Sequence, residues 1–371
     1  MPDPAAPEST GDDRRDAIRA EMRELMTRAH VPGMSLAVVS RSGLVHTDAL
    51  GFADLGRGTP ATADTAYLWF SMTKPVTATA ALKLADEGRL DLDAPVSEYV
   101  DLVRAPGDRQ PTVQHLLTHS SGLGNPLPLK WIHRAGEPGP DQGEMLRRIL
   151  GMRRPFRYPV GKAGRYSNVG YLVVAEIIRR VTGEPFDSYV RRSVLDPLGM
   201  AATGFAYAPG RPAATGYVRV PRTATPLLSA VLPEGIAGPR QGSQTALNPF
   251  LVDGAGYGGL VGPVTDAAAF VQLHLNDGMH GQHRILREAT AQTMRRLTVQ
   301  GNRFRHGQGW FRKPATGSGA NYVEHFGTGI GFWNVMRLYP GRNLGAVIMT
   351  NGTSGYNYNA LFKRILVTPW A

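Results

Sequence analysis

The chain has 371 residues, of which 42% are hydrophobic and 19% are charged. Such a chain can bury a large core, so a protein disordered over most of its length is excluded. It contains no cysteine, which excludes disulfides, thiolate nucleophiles and iron–sulfur clusters. The formal net charge is +11, but the basic residues are scattered and no nucleic-acid-binding motif is present, so we predict neither a nucleic-acid nor a membrane partner.

Residues 1–12 are rich in proline and acidic side chains and are predicted to form a disordered tail. This tail lacks the basic start and the apolar run of a secretory signal. No window approaches the roughly 20 apolar residues that span a membrane. The expectation is therefore a soluble, cytoplasmic protein.

Hydrophobic periodicity predicts a helix over residues 13–30, and then two short strands at 34–39 and 43–49 that suit a hairpin. Two more strands, at 332–339 and 344–350, precede a helix at 359–366. The segments between these ends are mostly helical in period. We therefore predict an α+β fold in which residues 13–90 and 255–371 form one domain, with a mostly helical domain inserted at 91–254.

Ser71 and Lys74 form a Ser-x-x-Lys motif at the start of a predicted helix. Residues three apart share a helix face, so the two side chains would be neighbours. A serine hydroxyl is a poor nucleophile without a base, and a buried lysine can be neutral near pH 7 and take its proton. A helix-capping serine beside a solvated lysine has the same spacing. Both interpretations stay open on this motif alone.

Two downstream motifs also carry side chains suited to catalysis. Tyr166 and Asn168 form a Tyr-x-Asn sequence just before a predicted helix, where a phenol and an amide can point into a cleft. His325 and Gly327 follow a predicted strand, and the small residues there would let a ligand approach the backbone. A turn with an Asn cap and a glycine-rich loop with a packed histidine are the structural alternatives.

His115 and His119 lie four residues apart, but no third metal ligand is apparent in the sequence. We predict a packed histidine pair, no metal site and no cofactor. The segment Gly258-Gly259-Leu260 has no chemistry that follows from its spacing.

The order Ser71-x-x-Lys74, Tyr166-x-Asn168 and His325-x-Gly327 resembles the serine hydrolases of the β-lactamase and penicillin-binding protein superfamily. The Tyr-x-Asn motif is similar to that of the class C β-lactamase branch and of the family VIII carboxylesterases. The resemblance extends from about residue 15 to 370 and includes the segments 117–123, 258–260, 265–266 and 307–310.

The resemblance implies an antiparallel sheet with flanking helices, made from both chain ends, and an active site in the groove beside the helical domain. It implies that Ser71 is acylated and that Lys74 helps to deprotonate it. Tyr166 would act first as a base and then as an acid for the leaving group. Asn168 would orient Lys74 and the substrate, and the backbone N–H groups of Ser71 and Thr328 would form the oxyanion hole.

The third motif departs from the Lys-Thr-Gly of many relatives, because His325 and Phe326 replace the lysine and threonine. A neutral imidazole holds a penicillin-like carboxylate less well than an ammonium, so this departure favours esters or neutral acyl groups. Aromatic side chains could line an apolar acyl pocket, although such residues often serve only as core. The candidates are Trp131, Trp310, Phe332 and Trp333.

The function predicted first is an esterase of small or medium acyl esters. The first alternative is an acyltransferase that moves an acyl group from a thioester to an alcohol or amine. Others are a D-amino-acid peptidase or amidase, a weak β-lactamase, and a catalytically silent binding protein. The positive charge could also attract an acidic acyl carrier, which would favour the acyltransferase.

Overall fold

The computed structural model describes residues 11–126, 131–152, 154–313, 320–353, 355 and 357–370, with side chains from residue 15 onward. The helices are α1 Gly11–Ala29, α2 Thr73–Asp86, α3 Val96–Tyr99, α4 Val113–Leu117, α5 Gln142–Leu150, α6 Asn168–Thr182, α7 Phe186–Val190, α8 Thr225–Val231, α9 Ala255–Gly258, α10 Val264–Leu275, α11 Glu288–Met294 and α12 Asn359–Val367. Short 3₁₀ turns lie at Phe70–Met72, Asp196–Leu198, Arg222–Ala224 and Pro340–Arg342, and a π-helical turn lies at Arg191–Leu195.

Most of the strands are short, and those of seven or more residues all belong to the main sheet. They are β1 Gly33–Ser40, β2 Gly43–Asp54, β3 Thr59–Pro60, β4 Tyr67–Leu68, β5 Ile132–Arg134, β6 Tyr217–Val218, β7 Ala237–Gln241, β8 Gln244–Leu247, β9 Phe250–Val252, β10 Val261–Gly262, β11 Met279–His280, β12 His283–Arg284, β13 Val299–Gln300, β14 Arg305–His306, β15 Phe311–Arg312, β16 Val323–Gly329, β17 Phe332–Tyr339 and β18 Leu344–Thr350.

The main sheet is antiparallel and has nine strands in the order β13-β14-β15-β16-β17-β18-β1-β2-β3. Strand β1 pairs with β18 from Met34 opposite Thr350 to Ser40 opposite Leu344, which joins the two ends of the chain. Both predicted strand pairs, β1–β2 and β17–β18, are hairpins of this sheet. The predicted fold class, an antiparallel sheet with flanking helices, is confirmed.

Helices cover both faces of the sheet because its strands alternate apolar side chains between the two faces. On β1, Leu36 and Val38 are buried in a cluster with α1 and α12. Ala37 and Val39 belong instead to the larger core that contains α2 and α10. The Ser71, Tyr166 and His325 motifs lie on this second side, against the larger core.

The central part of the chain packs against α2. Residues 91–254 contain α3 to α8 and the short pairs β5–β9 and β6–β8–β7. Gly256 of α9 comes so close to α6 that a Cβ atom there would lie 2.5 Å from the carbonyl oxygen of Tyr171. The predicted domain boundaries stay a prediction.

None of the described helices is both long enough and apolar enough to cross a membrane.

Candidate active site

Ser71 lies in the 3₁₀ turn that leads into α2, and neighbouring segments hold this turn tightly. The backbone N–H of Trp69 donates to the carbonyl oxygen of Leu260 over 2.8 Å, and its indole N–H donates to that of Gly262 over 3.2 Å. Phe70 has a left-handed backbone with φ of 47°. A bulky residue adopts this conformation only under constraint from its surroundings, and such strain is common beside catalytic groups.

Lys74 is the centre of the site. Its side chain is fully buried, and Nζ lies 2.9 Å from Ser71 Oγ and 3.0 Å from the carbonyl oxygen of Tyr257. None of the ion pairs among the described residues includes Lys74. Burial therefore lowers the pKa of Lys74 well below its ordinary value. A neutral amine at this distance can accept the hydroxyl proton of Ser71.

Tyr166 lies next to both members of this pair. The centroid of its ring is 4.8 Å from Lys74 Nζ, and its hydroxyl interacts with the Ser71 side chain. Burial raises the pKa of Tyr166, and the interaction with Ser71 opposes this rise only in part. The phenol is therefore protonated near pH 7. This state favours Lys74 over a tyrosinate as the first base.

His119 holds the loop that carries Tyr166, a role that the sequence did not reveal. Its carbonyl oxygen accepts the N–H of Arg165 over 2.6 Å, and its Nδ1 accepts the N–H of Ser167 over 3.1 Å. Its ring centroid is 4.4 Å from that of Tyr166. His119 also has a left-handed backbone, with φ of 58°. It thus fixes the residues on both sides of Tyr166.

Asn125 is a second residue that sequence reasoning missed. Its Nδ2 donates to the carbonyl oxygen of Tyr166 over 3.0 Å, and its Oδ1 accepts the N–H of Asn168 over 2.7 Å. Asn168 Oδ1 is buried and has no hydrogen-bond partner in the described part of the chain. No described hydrogen bond joins Asn168 to Lys74, whose second partner is the Tyr257 carbonyl. The predicted role of Asn168 toward the substrate stays a prediction.

Tyr257 directly precedes the Gly258-Gly259-Leu260 segment. Its ring centroid lies 5.2 Å from Lys74 Nζ, so both its backbone and its ring contact this amine. The N–H of Leu260 donates to Thr73 Oγ1 over 3.2 Å. The segment that had no derivable chemistry therefore positions the start of α2.

Strand β16 lies against the Ser71 turn and forms one wall of the site. A Cβ atom at Gly327 would lie 1.9 Å from the carbonyl oxygen of Trp69, so only glycine fits there. The ring of His325 lies 6.1 Å from that of Tyr166. The close approach brings the backbone that continues to Thr328 alongside the Ser71 turn. The oxyanion role of Thr328 stays a prediction.

Three neutral histidines surround the loop that carries Tyr166 and leads into α6, which we call the catalytic loop. His119 and His325 are almost completely buried, and burial lowers the pKa of both well below the ordinary value. His306, whose ring is 5.2 Å from that of His119, has its pKa lowered by burial to about 4. Near pH 7 these rings are uncharged, so His325 offers no cation in place of the lysine of related motifs.

Two of the four predicted pocket residues lie near Ser71. The ring of Phe332 lies 6.1 Å from the ring of Phe70, which directly precedes Ser71. Trp131 lies 5.8 Å from the ring of Tyr257. Both are buried, and their positions agree with an apolar lining of the cleft.

The structure does not bring the other two pocket candidates to the site. Trp310 is buried and stacks on Phe270 of α10, so it belongs to the core. Trp333 follows Phe332 on β17 and therefore points to the opposite face of the sheet, where it packs in the cluster of α1 and α12. These two assignments need correction, because one is a core residue and the other has the wrong strand parity.

The two histidines of the 115–119 segment have separate roles. The Nδ1 of His115 accepts the N–H of Thr112 over 3.0 Å and completes a capping box at α4. Among the residues with described side chains, no three His, Asp or Glu residues are grouped so that they could hold a metal ion.

Comparison with known proteins identifies the family to which this site belongs. The family model named Beta-lactamase matches residues 18–366, and the chain therefore belongs to the beta-lactamase family. The chain is similar to the esterase EstB of Burkholderia gladioli, with 34% identity over 192 residues, which is 47% of each chain. It is also similar to protein flp of Staphylococcus aureus strain COL, with 25% identity over 93% of this chain and 64% of that protein.

A solved structure with the same fold is the octameric penicillin-binding protein homologue from Pyrococcus abyssi. It aligns with a TM-score of 0.77 and 24% identity, over 95% of this chain and 77% of that one. The present chain thus spans about half the length of EstB and less than two thirds of flp.

Proposed function

We propose that this protein is a serine hydrolase that forms an acyl-enzyme on Ser71 and acts on small or medium acyl esters. The observation that carries the proposal is the 2.9 Å contact between Lys74 Nζ and Ser71 Oγ, at a buried amine whose pKa is lowered. This arrangement supplies a nucleophile and its base without any cofactor.

The proposed first half-reaction begins when Ser71 Oγ attacks the ester carbonyl carbon and its proton passes to Lys74 Nζ. The backbone N–H groups of Ser71 and Thr328 would stabilise the oxyanion. The carbon–oxygen bond to the alcohol then breaks, and the leaving oxygen takes a proton from Tyr166, which Lys74 reprotonates. Water attacks the acyl-enzyme in the second half-reaction, and the same groups return the proton to Ser71.

Two observations support esters over β-lactams as substrates. The pKa of His325 is lowered by burial, so this position lacks the fixed positive charge that would hold a penicillin carboxylate. Phe332 and Trp131 offer apolar surface near the nucleophile. The name of the EstB relative agrees with this substrate class.

A fluorophosphonate probe followed by intact-mass measurement tests the nucleophile. We expect a single adduct, which Ser71→Ala abolishes and Ser188→Ala, an exposed serine of α7, retains. An undiminished adduct in Ser71→Ala would show that another residue reacts. Absence of any adduct while a control hydrolase is labelled would support the silent binding protein.

Parallel turnover of p-nitrophenyl butyrate, a D-alanyl p-nitroanilide and a chromogenic cephalosporin ranks the substrate classes. We expect the ester to react fastest. A faster anilide would favour the amidase, and a faster cephalosporin would favour the β-lactamase. Acyl products formed with an added alcohol or amine, in preference to hydrolysis, would favour the acyltransferase.

A further inference from the structure

A cavity of about 720 Å³ lies beside the catalytic loop and is not used in the reaction described above. One part of its lining is apolar and consists of Ile149, Met152 and Phe156. The guanidinium-bearing side chains of Arg154 and Arg157 also line it. A small-molecule site commonly combines such an apolar surface with a few polar groups that fix orientation.

The two arginines have no anionic partner within the part of the chain that the structure describes. Neither takes part in an ion pair among the described residues, and both are exposed. By contrast, Arg179 and Arg180 of α6 both bind Glu176, at 2.8 Å and 2.7 Å. The cavity therefore presents two uncompensated positive charges to whatever enters it.

The cavity wall is continuous with the catalytic loop. Gly124 and Pro126 line the cavity, and the residue between them is Asn125, which binds the backbone of Tyr166 over 3.0 Å. The N–H of Gly124 donates to the carbonyl oxygen of Pro155 over 2.9 Å, which joins the arginine-bearing segment to this wall. A Cβ atom at Gly124 would lie 2.5 Å from Cδ of Arg157, so glycine leaves the space that the arginine stem occupies.

We propose that this cavity is a substrate subsite for an anionic group carried on an apolar chain, which makes acyl esters with a terminal carboxylate or phosphate preferred substrates. This inference rests on the proposed esterase function and names its substrate class. A guanidinium binds a carboxylate or phosphate through paired N–H donors, and the apolar lining packs the chain that carries the anion. The net charge of +11 favours the approach of such anions.

Kinetics with matched substrates test the subsite. Mono-p-nitrophenyl esters of dicarboxylic acids with four to eight carbons would be compared with their methyl-capped neutral counterparts, and a phosphate-terminated ester would form a third arm. We expect a higher kcat/KM for the anionic ester at an optimal chain length. The anionic ester with the larger gain in kcat/KM over the neutral ester shows whether the subsite prefers a carboxylate or a phosphate.

The variants Arg154→Gln and Arg157→Gln should each reduce kcat/KM for the anionic ester about tenfold, as expected for losing one charge-assisted contact. Turnover of the neutral ester should stay unchanged in both, which also reports correct folding. The matched control is Arg342→Gln, an exposed arginine between β17 and β18. It should leave both rates unchanged.

A binding measurement separates this proposal from the proposed function. The anionic ester would be titrated calorimetrically into Ser71→Ala protein and into a Ser71→Ala protein that also carries Arg154→Gln and Arg157→Gln. We expect the first protein to bind the ester and the second to bind it more weakly, even though neither turns it over. Equal binding by both proteins would overturn the subsite, as would an anionic preference that the double variant retains. Failure to hydrolyse any ester, with Arg-dependent binding intact, would count against the esterase alone.

Discussion

Two buried basic side chains lie on opposite faces of the main sheet, and only one of them has a carboxylate partner among the described residues. Lys74 is fully buried, and its hydrogen-bond partners in the described part of the chain are all uncharged oxygens. Arg337 of β17 is also buried, but its Nη2 lies 2.7 Å from Oε2 of Glu324 on β16. A buried cation with a carboxylate partner keeps its charge, whereas one without such a partner favours the neutral form.

The neighbouring residues Glu324 and His325 of β16 contribute side chains to opposite faces of the main sheet. Successive side chains on a strand point to opposite faces, so Glu324 points toward α12 and His325 toward the catalytic loop. Burial pushes the pKa of Arg337 down, but Glu324 together with Tyr339 and Tyr322 more than offsets this effect and raises it. We infer that the Glu324–Arg337 pair has a structural role, while Lys74 is kept able to exchange a proton.

The largest effect is expected from Lys74. Replacement by arginine, which keeps a permanent charge, should lower kcat by roughly a thousandfold, as should replacement by methionine, because neither side chain can take the Ser71 proton. In the wild-type enzyme kcat/KM should fall as the pH drops through the lowered pKa of Lys74, since the ammonium cannot accept a proton.

Steady-state rates with p-nitrophenyl butyrate and a pH profile provide the measurement. The matched control is Lys83→Arg, near the end of the same helix, which should retain full activity. If Lys74→Arg retained activity, the amine would not be the base.

The Glu324–Arg337 pair should affect stability and leave the chemistry intact. Arg337→Met leaves a buried carboxylate without its partner and should lower the free energy of unfolding by about 3–5 kcal/mol. The double variant Glu324→Leu/Arg337→Met removes both charges and should recover most of this loss. Urea unfolding measures the stability, and kcat of the folded enzyme should change little in either case.

A loss of kcat in the folded double variant that matches the loss in Lys74→Arg would break the comparison, because the ion pair would then take part in catalysis. Equal stability of the single and double variants would show that Glu324 does not need its partner.

A smaller effect is expected at His119, which is buried and holds the loop that carries Tyr166. His119→Leu removes the acceptor for the Ser167 N–H and should lower kcat about tenfold with little change in KM. His119→Asn can place an amide oxygen near the former Nδ1 and tolerates the left-handed backbone, so it should recover part of the rate. Equal rates for the leucine and asparagine variants would contradict this role.

The sequence predicted the hairpins at both chain ends, because alternating apolar residues and turn residues are local signals. It also predicted that Ser71 and Lys74 are neighbours, since helix geometry alone brings them together. The partners His119, Asn125 and Tyr257 were missed, because each acts through contacts between segments 41 to 183 residues apart.

The aromatic pocket shows where composition misleads. Phe332 and Trp333 are adjacent on one strand, so only one of them can face the nucleophile, and the period of two would have excluded the second. The location of Trp310 in the core could be assigned only from the structure, because a core tryptophan and a cleft tryptophan have the same sequence signal. The short strands β6 to β9 were missed because they lack a sustained period.

The most direct test of the central claim is the ionisation of Lys74 itself. NMR titration of protein labelled with ¹⁵N-lysine, with Lys74→Arg used to assign the signal, would follow the charge on its Nζ atom. We expect Lys74 to deprotonate well below the ordinary pKa of lysine. A Lys74 signal that titrates at the ordinary value would contradict the account, because the amine would then be charged when Ser71 has to lose its proton.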